Sequence, residues 1–179
     1  MAEKQKPNVG NIKIENVSHK SNPSTGKTKL QQAKKKPIKA QYLEIEYDDL
    51  ELNERVGRGA YGSVYRGKWK SRDKEVAIKK LLTLEKEAEV LSSCSHRNII
   101  QFYGVVCTSS NFCIITEYAE YGSLHSFLGQ HDLYEEFGLT LLLHWAHEIA
   151  LGMNYLHAEA PLKIIHRDLK SNNGKLPSQ

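Results

Sequence analysis

Hydrophobic positions are spread unevenly along the 179 residues. Residues 1–40 mix Lys, Asn, Ser, Pro and Gln with few large apolar side chains and no aromatic one. Such a stretch buries too little surface to offset chain entropy, so 1–40 is expected to be a disordered basic tail. From Tyr42 the pattern changes. Glu51 to Val56 and Ser63 to Trp69 read as two strands joined by a glycine-rich turn, and Glu75 to Lys80 as a third. Leu84 to Leu91 has helical spacing. Phe102 to Cys107 and Phe112 to Glu117 predict two more strands across the turn-like Thr108–Asn111. A long amphipathic helix over 140–157 follows, with Leu142, Trp145, Ala146, Ile149, Met153 and Leu156 at steps of three or four, then a short Ile164–Ile165 strand. No internal repeat is visible. Strands, helix, strands, helix in that order predict an α+β domain: a small antiparallel sheet with helices packed against it.

Charge sharpens this division. The net charge is +4, yet residues 1–40 hold ten lysines and two glutamates, leaving 15 basic and 19 acidic side chains for the remainder. The basic character therefore belongs to the tail. Its Lys34-Lys35-Lys36 run reads first as a solvated segment, and no aromatic residue interleaves the lysines, so no specific nucleic-acid partner is expected. Ser24 to Thr28 superficially resembles a phosphate-binding loop, but Ser21 stands where its first glycine is required. No apolar run approaches the ~18 residues of a spanning helix, and no apolar leader opens the chain. Cys94, Cys107 and Cys113 form no CxxC pair, which fits reduced thiols and a cytoplasmic protein.

The chemistry-bearing residues come in four groups. Gly57, Gly59 and Gly62 form a GxGxxG turn, able to lay backbone N–H groups over phosphate oxygens. In a dinucleotide-binding fold a helix would start there. Here the strand-like Ser63–Trp69 follows, so the turn closes a hairpin over a nucleotide and a dehydrogenase is excluded. Lys79, in Val76-Ala-Ile-Lys79, sits on the next strand, where its amine could hold the α- and β-phosphates. Such a lysine needs a carboxylate partner. Glu87 shares a helical stripe with Leu84, Ala88 and Leu91, whereas Glu85 and Glu89 point away, so Glu87 is the candidate. Last comes His166-Arg-Asp168-Leu-Lys170-Ser-Asn-Asn173. Asp168 could accept or orient a substrate hydroxyl proton, Lys170 could neutralise charge on a transferred phosphoryl group, and Asn173 offers a neutral oxygen to magnesium.

With these motifs in this order, residues from about Tyr42 to Asn173 resemble the protein kinase family. Lysine two positions after Asp168 is similar to the serine/threonine pattern. His166–Ser171 is similar to the mixed-lineage and Raf-like branch, and Asp73–Ala77, Glu85–Glu89, Ser95–Gly104 and Ile115–Ala119 are similar to mixed-lineage MAP kinase kinase kinases with a leucine zipper and a sterile-alpha motif. The resemblance implies a five-stranded N-lobe with one helix (41–118), the start of a helical C-lobe (119–173), ATP and Mg2+ as cofactors, and a MAP kinase kinase as substrate in stress-activated signalling. It further implies that Thr116 is the gatekeeper and that Glu117 to Ala119 form the hinge whose backbone holds adenine. Val64 and Ala77 would pack on the adenine faces, and Val56 would complete the nucleotide set with the glycines.

The chain also departs from that pattern. Past Asn173 only Gly174–Gln179 remains, with no Asp-Phe-Gly, activation segment or zipper. Residues 174–179 are therefore expected to be an unrelated tail, the chain to be inactive alone, and no zipper-mediated oligomer to form. A non-catalytic nucleotide-binding or partner-competing fragment is the alternative. Gly174-Lys175 can be encoded as GGT-AAG, the usual start of an intron, which suggests a retained intron or truncated gene model. Sequencing the transcript across the Asn173 codon checks this: downstream kinase exons are expected, and a genomic stop codon with none after it would refute it.

Overall fold

A computed structural model describes residues 13–14, 42–59, 62–81, 86–108, 111–130 and 137–177. Its centre is a five-stranded antiparallel sheet, as the alternating segments require. In chain order the strands are β2 (Leu50–Gly59), β3 (Gly62–Trp69), β4 (Lys74–Leu81), β5 (Phe102–Thr108) and β6 (Asn111–Glu117); the spatial order is β2-β3-β4-β6-β5. A further strand, β1 (Lys13–Ile14), precedes them and lies in a separate two-stranded sheet.

Side chains on a strand alternate between faces, so β4 divides the sheet's two environments. Val76 and Ile78 are fully buried and join Ile45, Leu50, Trp69, Val106, Cys113 and Ile115 in one core. Lys80 shares their parity and reaches the edge of that face, where its Nζ donates to the Tyr47 hydroxyl at 2.6 Å. That bond, more than burial opposes it, holds the Lys80 amine above its ordinary pKa. The opposite face carries Ile114 and Val105, covered by Ala88 and Leu91 of helix α1 (Lys86–Ser92).

The rest of the chain is helical or irregular. Ser123 caps α2 (Leu124–Leu128) by accepting from the Ser126 N–H at 3.1 Å. This short helix was not anticipated, because five residues carry too little periodicity to register. The long helix α3 runs Gly138–Asn154 and continues as a wider π turn over Tyr155–Glu159. Trp145 and Leu156 are buried as the spacing required, but Ala146 is exposed and Glu148 is buried at 2% exposure, with His144 Nε2 3.4 Å from its Oε1. The expected Ile164–Ile165 strand does not form. Ile164 donates to the Leu156 carbonyl at 2.9 Å and packs inward, while Ile165 is 65% exposed.

Two domain boundaries are corrected at particular residues. Lys13 and Ile14, inside the stretch expected to be disordered, form β1, which pairs antiparallel with β7 (Gly174–Lys175). Ile14 is 2% exposed among Cys94, Ile99, Leu156 and Ile164. The remainder of 1–40, including the Lys34–Lys36 run, lies outside the described residues. Nor does the segment from Gly174 stand apart. Leu176 is fully buried against Phe127 and Trp145, and exchanges backbone bonds with Tyr121 and Gly122 at 3.0 and 3.1 Å. Its apolar side chain finds a ready pocket, which the expectation of an unrelated tail over 174–179 did not foresee.

Ile78 sits in the most occluded part of the sheet, so Ile78→Ala is expected to cost about 2–5 kcal/mol by chemical denaturation. Leu143→Ala, on the exposed face of α3, is expected to stay within about 0.5 kcal/mol.

Candidate functional site

The residues singled out on β2, β3 and β4 converge through register. Gly57 pairs with Val64 and Gly59 with Gly62, so the glycine segment closes the β2–β3 hairpin. Ala60 and Tyr61 at its tip lie outside the described residues. Gly62 has φ +150°, and a Cβ there would meet the Lys80 carbonyl oxygen at 1.9 Å, so only glycine lets β3 pass β4 at that point. Between the pairs Arg55–Tyr65 and Gly57–Val64, β2 carries one extra residue, Val56. This bulge turns Val56 towards a cleft of about 210 Å³ lined by Val56, Val64, Ala77, Ile100, Glu117, Tyr118, Ala119, Gly122, Ser123, Ser126 and Lys175.

Lys79 does not border that cleft directly, but its placement is fixed. It pairs with Val64 on β3 and Ile114 on β6, and lies two residues beyond Ala77. Residues directly opposite, or two apart on a strand, share a face, so Lys79 points to the face on which Val64 and Ala77 line the cleft. Thr116 pairs with Ala77 and shares this face, although it too is outside the cleft lining. The side chain of Glu87 lies outside the described residues. Its neighbour Ala88 is 1% exposed against the sheet, which fixes the helix face but not the carboxylate.

Along the segment after β6, donors and acceptors are unevenly used. The Glu117 N–H donates to the Gln101 carbonyl at 2.9 Å, and its carbonyl accepts from the Thr116 hydroxyl at 3.2 Å. Ala119 accepts from the Gly122 N–H at 3.0 Å, whereas no acceptor among the described residues takes the Ala119 N–H. The Glu117 carboxylate accepts from Lys13 Nζ at 2.5 and 2.7 Å and from the Gln101 N–H at 3.2 Å.

The loop after α3 gathers its three candidates into one cluster. Asp168 Oδ2 lies 3.0 Å from Lys170 Nζ and accepts from Asn173 Nδ2 at 3.1 Å; the same Nδ2 donates to the Asp168 carbonyl at 2.8 Å. Arg167 has φ 63°, a left-handed conformation uncommon for a side-chain-bearing residue, beside a site residue. His166 is 1% exposed and its Nδ1 accepts from the Asp168 N–H at 3.3 Å. The hydrogen bonds from Lys170 and then Asn173 hold the Asp168 carboxyl below its ordinary pKa. Asn173 is 6% exposed, and its Nδ2 is committed to Asp168. An amide oxygen beside a half-exposed carboxylate suits a hard cation that is shared with phosphate oxygens. Among the described residues no group of three His, Cys, Asp or Glu side chains could hold a metal unaided.

The sequence profile described as protein tyrosine and serine/threonine kinase matches residues 50–174. The chain belongs to this kinase family. It is 38% identical over 164 residues to "Mitogen-activated protein kinase kinase kinase zak-1" of Caenorhabditis elegans, an alignment covering 86% of this chain and 22% of that protein. It is 41% identical over 143 residues to "Mitogen-activated protein kinase kinase kinase 10" of Xenopus laevis, covering 73% and 14%. A Drosophila melanogaster protein, "Mitogen-activated protein kinase kinase kinase 7", is 38% identical over 135 residues, covering 72% and 20%. The chain thus spans about a fifth or less of the curated relatives it matches, and its likeness is to kinases of the mixed-lineage kind.

Within this kinase cleft, Gly122, Ser123, Ser126, Ile100 and Lys175 were not anticipated. Ser123 carried a signal, as a capping residue just past a strand. Lys175 carried none, since its place depends on β7. Because the lowered Asp168 pKa comes from the charged form's partners, the carboxylate stays ionised down to pH values below the usual aspartate range. Any stability it contributes is present at neutral pH and is lost only as pH falls through that lowered value. In a carboxyl NMR titration, Lys170→Ala and Asn173→Ala are each expected to move the Asp168 midpoint upward.

Proposed function

We propose that this cleft binds ATP with magnesium, and that the kinase to which the chain belongs transfers the γ-phosphoryl group to a serine or threonine hydroxyl. The observation that carries this reading is the β3–β4–β6 register, which sets Lys79 opposite Val64 on the cleft face beneath the glycine hairpin. Adenine would lie between Val56, Val64 and Ala77, with the Ala119 N–H available to donate to a ring nitrogen. Lys79 would hold the α- and β-phosphates, oriented by Glu87. Magnesium, when bound, neutralises phosphate charge, and Asn173 would contribute an oxygen to it.

In the transfer, the substrate hydroxyl oxygen bonds to the γ-phosphorus as the bond to the β–γ bridging oxygen breaks, releasing ADP. The hydroxyl proton passes to the Asp168 carboxylate, which is kept ionised by its partners. Lys170 offsets charge on the transferred group. The relatives' names place them at the MAP kinase kinase kinase level, which makes a MAP kinase kinase the expected substrate class and stress-activated signalling the expected setting. Among the described residues no helix is long and apolar enough to cross a membrane. We place the protein in the cytoplasm.

A non-hydrolysable ATP analogue with magnesium, at about one hundred times its Kd, should stabilise the chain by about 2.7 kcal/mol in thermal unfolding. Lys79→Ala is expected to remove most of that gain. Where phosphotransfer to a MAP kinase kinase is measurable, Asp168→Asn is expected to lower it at least about a hundredfold. No stabilisation by the analogue would refute the nucleotide reading. Stabilisation without phosphotransfer would leave the chain a nucleotide-binding fragment.

A further inference from the structure

A short strand from far away in sequence lies against walls of the cleft. Ile14 donates its N–H to the Asn98 carbonyl at 3.0 Å, and its carbonyl accepts from the Ile100 N–H at 3.1 Å. On its other edge β1 pairs with β7, Lys13 opposite Lys175 and Ile14 opposite Gly174. The two residues therefore fill a gap between the 98–100 segment and β7, satisfying backbone groups on both sides. Strand alternation sends the two side chains apart. Ile14 enters the apolar cluster of Cys94, Ile99, Leu156 and Ile164, and Lys13 reaches both oxygens of Glu117 at 2.5 and 2.7 Å. Helix α3 makes room for them. A Cβ on Gly152 would meet the Asn98 carbonyl oxygen at 2.9 Å and Ile14 Cδ1 at 3.0 Å.

Three neighbours of this strand are also walls of the cleft. Ile100 bonds to Ile14, Glu117 to Lys13, and Lys175 lies opposite Lys13; all three line the cavity. We propose that the gap between residues 98–100 and β7 is a strand-accepting groove whose occupant is this chain's own Lys13–Ile14, and that its occupation and nucleotide binding reinforce one another. The groove selects a basic residue followed by a β-branched aliphatic one, through the Glu117 carboxylate and the apolar cluster. Main-chain bonds supply the rest, as in strand addition to an exposed edge. With β1 seated, Glu117 and Lys175 are held in place, so a nucleotide enters a cleft that is already formed. Without it, binding must also order two walls, and affinity falls by linkage. Docking stands on its own, whereas the coupling rests on the nucleotide reading above.

The test uses the full 179-residue chain and two variants, Ile14→Asp and Lys13→Glu, with Ile14→Val as the conservative control. Amide hydrogen exchange without nucleotide reads docking. The Ile14 and Ile100 amides are expected to exchange about tenfold more slowly in the wild type and Ile14→Val than in Ile14→Asp. Calorimetric titration with the ATP analogue and magnesium reads coupling, with Kd expected to rise about tenfold in Ile14→Asp and about fivefold in Lys13→Glu. Lys13→Glu leaves the apolar cluster untouched, so it decides the matter if Ile14→Asp does not fold. Equally fast exchange in the wild type and a folded Ile14→Asp, or wild-type exchange in Lys13→Glu when it must decide, would overturn docking. Lost protection with an unchanged Kd would overturn the coupling alone. A wild type that binds no nucleotide, yet keeps its slow amides, would overturn the functional reading and the coupling while docking stands.

Discussion

A two-residue alternation governs the site. On β4 the successive residues Val76, Ala77, Ile78 and Lys79 alternate between a sealed core and the face that carries the cleft, and the neighbours on β3 and β6 hold that alternation in register. A slip of one residue would exchange the faces. It would place Lys79 among Ile115, Val106 and Trp69, and Ile78 on the cleft face. Burying an unpaired ammonium group there would cost several kcal/mol, so the core that stabilises the sheet also specifies where the amine points. Stability and site geometry are thus enforced by the same contacts. The neighbouring Lys80 shows the converse: it falls on the core-facing parity and is accommodated at the rim by the Tyr47 hydroxyl and the faces of Tyr47 and Tyr65.

The cleft is assembled from distant parts of the chain. Its roof comes from β2, β3 and β4, its back from Glu117–Ala119, and its floor from the capped turn before α2 and from Lys175. The Asp168–Lys170–Asn173 cluster stands immediately before β7, so the segment that carries the candidate acid runs directly into the floor. Local bonds shape this loop: a left-handed Arg167, a buried His166 and an Asn173 amide donating twice to Asp168. The carboxylate is consequently partnered before any substrate arrives, which is preorganisation in the electrostatic sense.

Apolar surface remains open on the helical side. Leu139, Leu143 and Leu151 on α3 are exposed, as are Leu162, Ile165 and Leu169 beyond it. Exposed aliphatic residues on one helix and the loop after it are a surface on which association is expected. The same helix buries Glu148 on its inner face, so burial does not follow hydrophobicity alone.

Strand order, the glycine hairpin, the lysine on the third sheet strand and the Asp168 loop were legible in the amino-acid sequence. Each is written locally: alternation over six or seven residues, glycines at fixed spacing, and a polar motif just past an amphipathic helix. Tertiary structure decided what depends on long-range partners. The bulge that turns Val56 into the cleft is a mismatch between two strands and appears in neither alone. Burial of Leu176 sets it against Phe127 and Trp145, and the seating of Lys13–Ile14 brings residues near one end of the chain against Gly174 and Lys175 near the other. A polar stretch says how little surface it can bury, but not that two of its residues match a gap left between a loop and a strand more than eighty positions away.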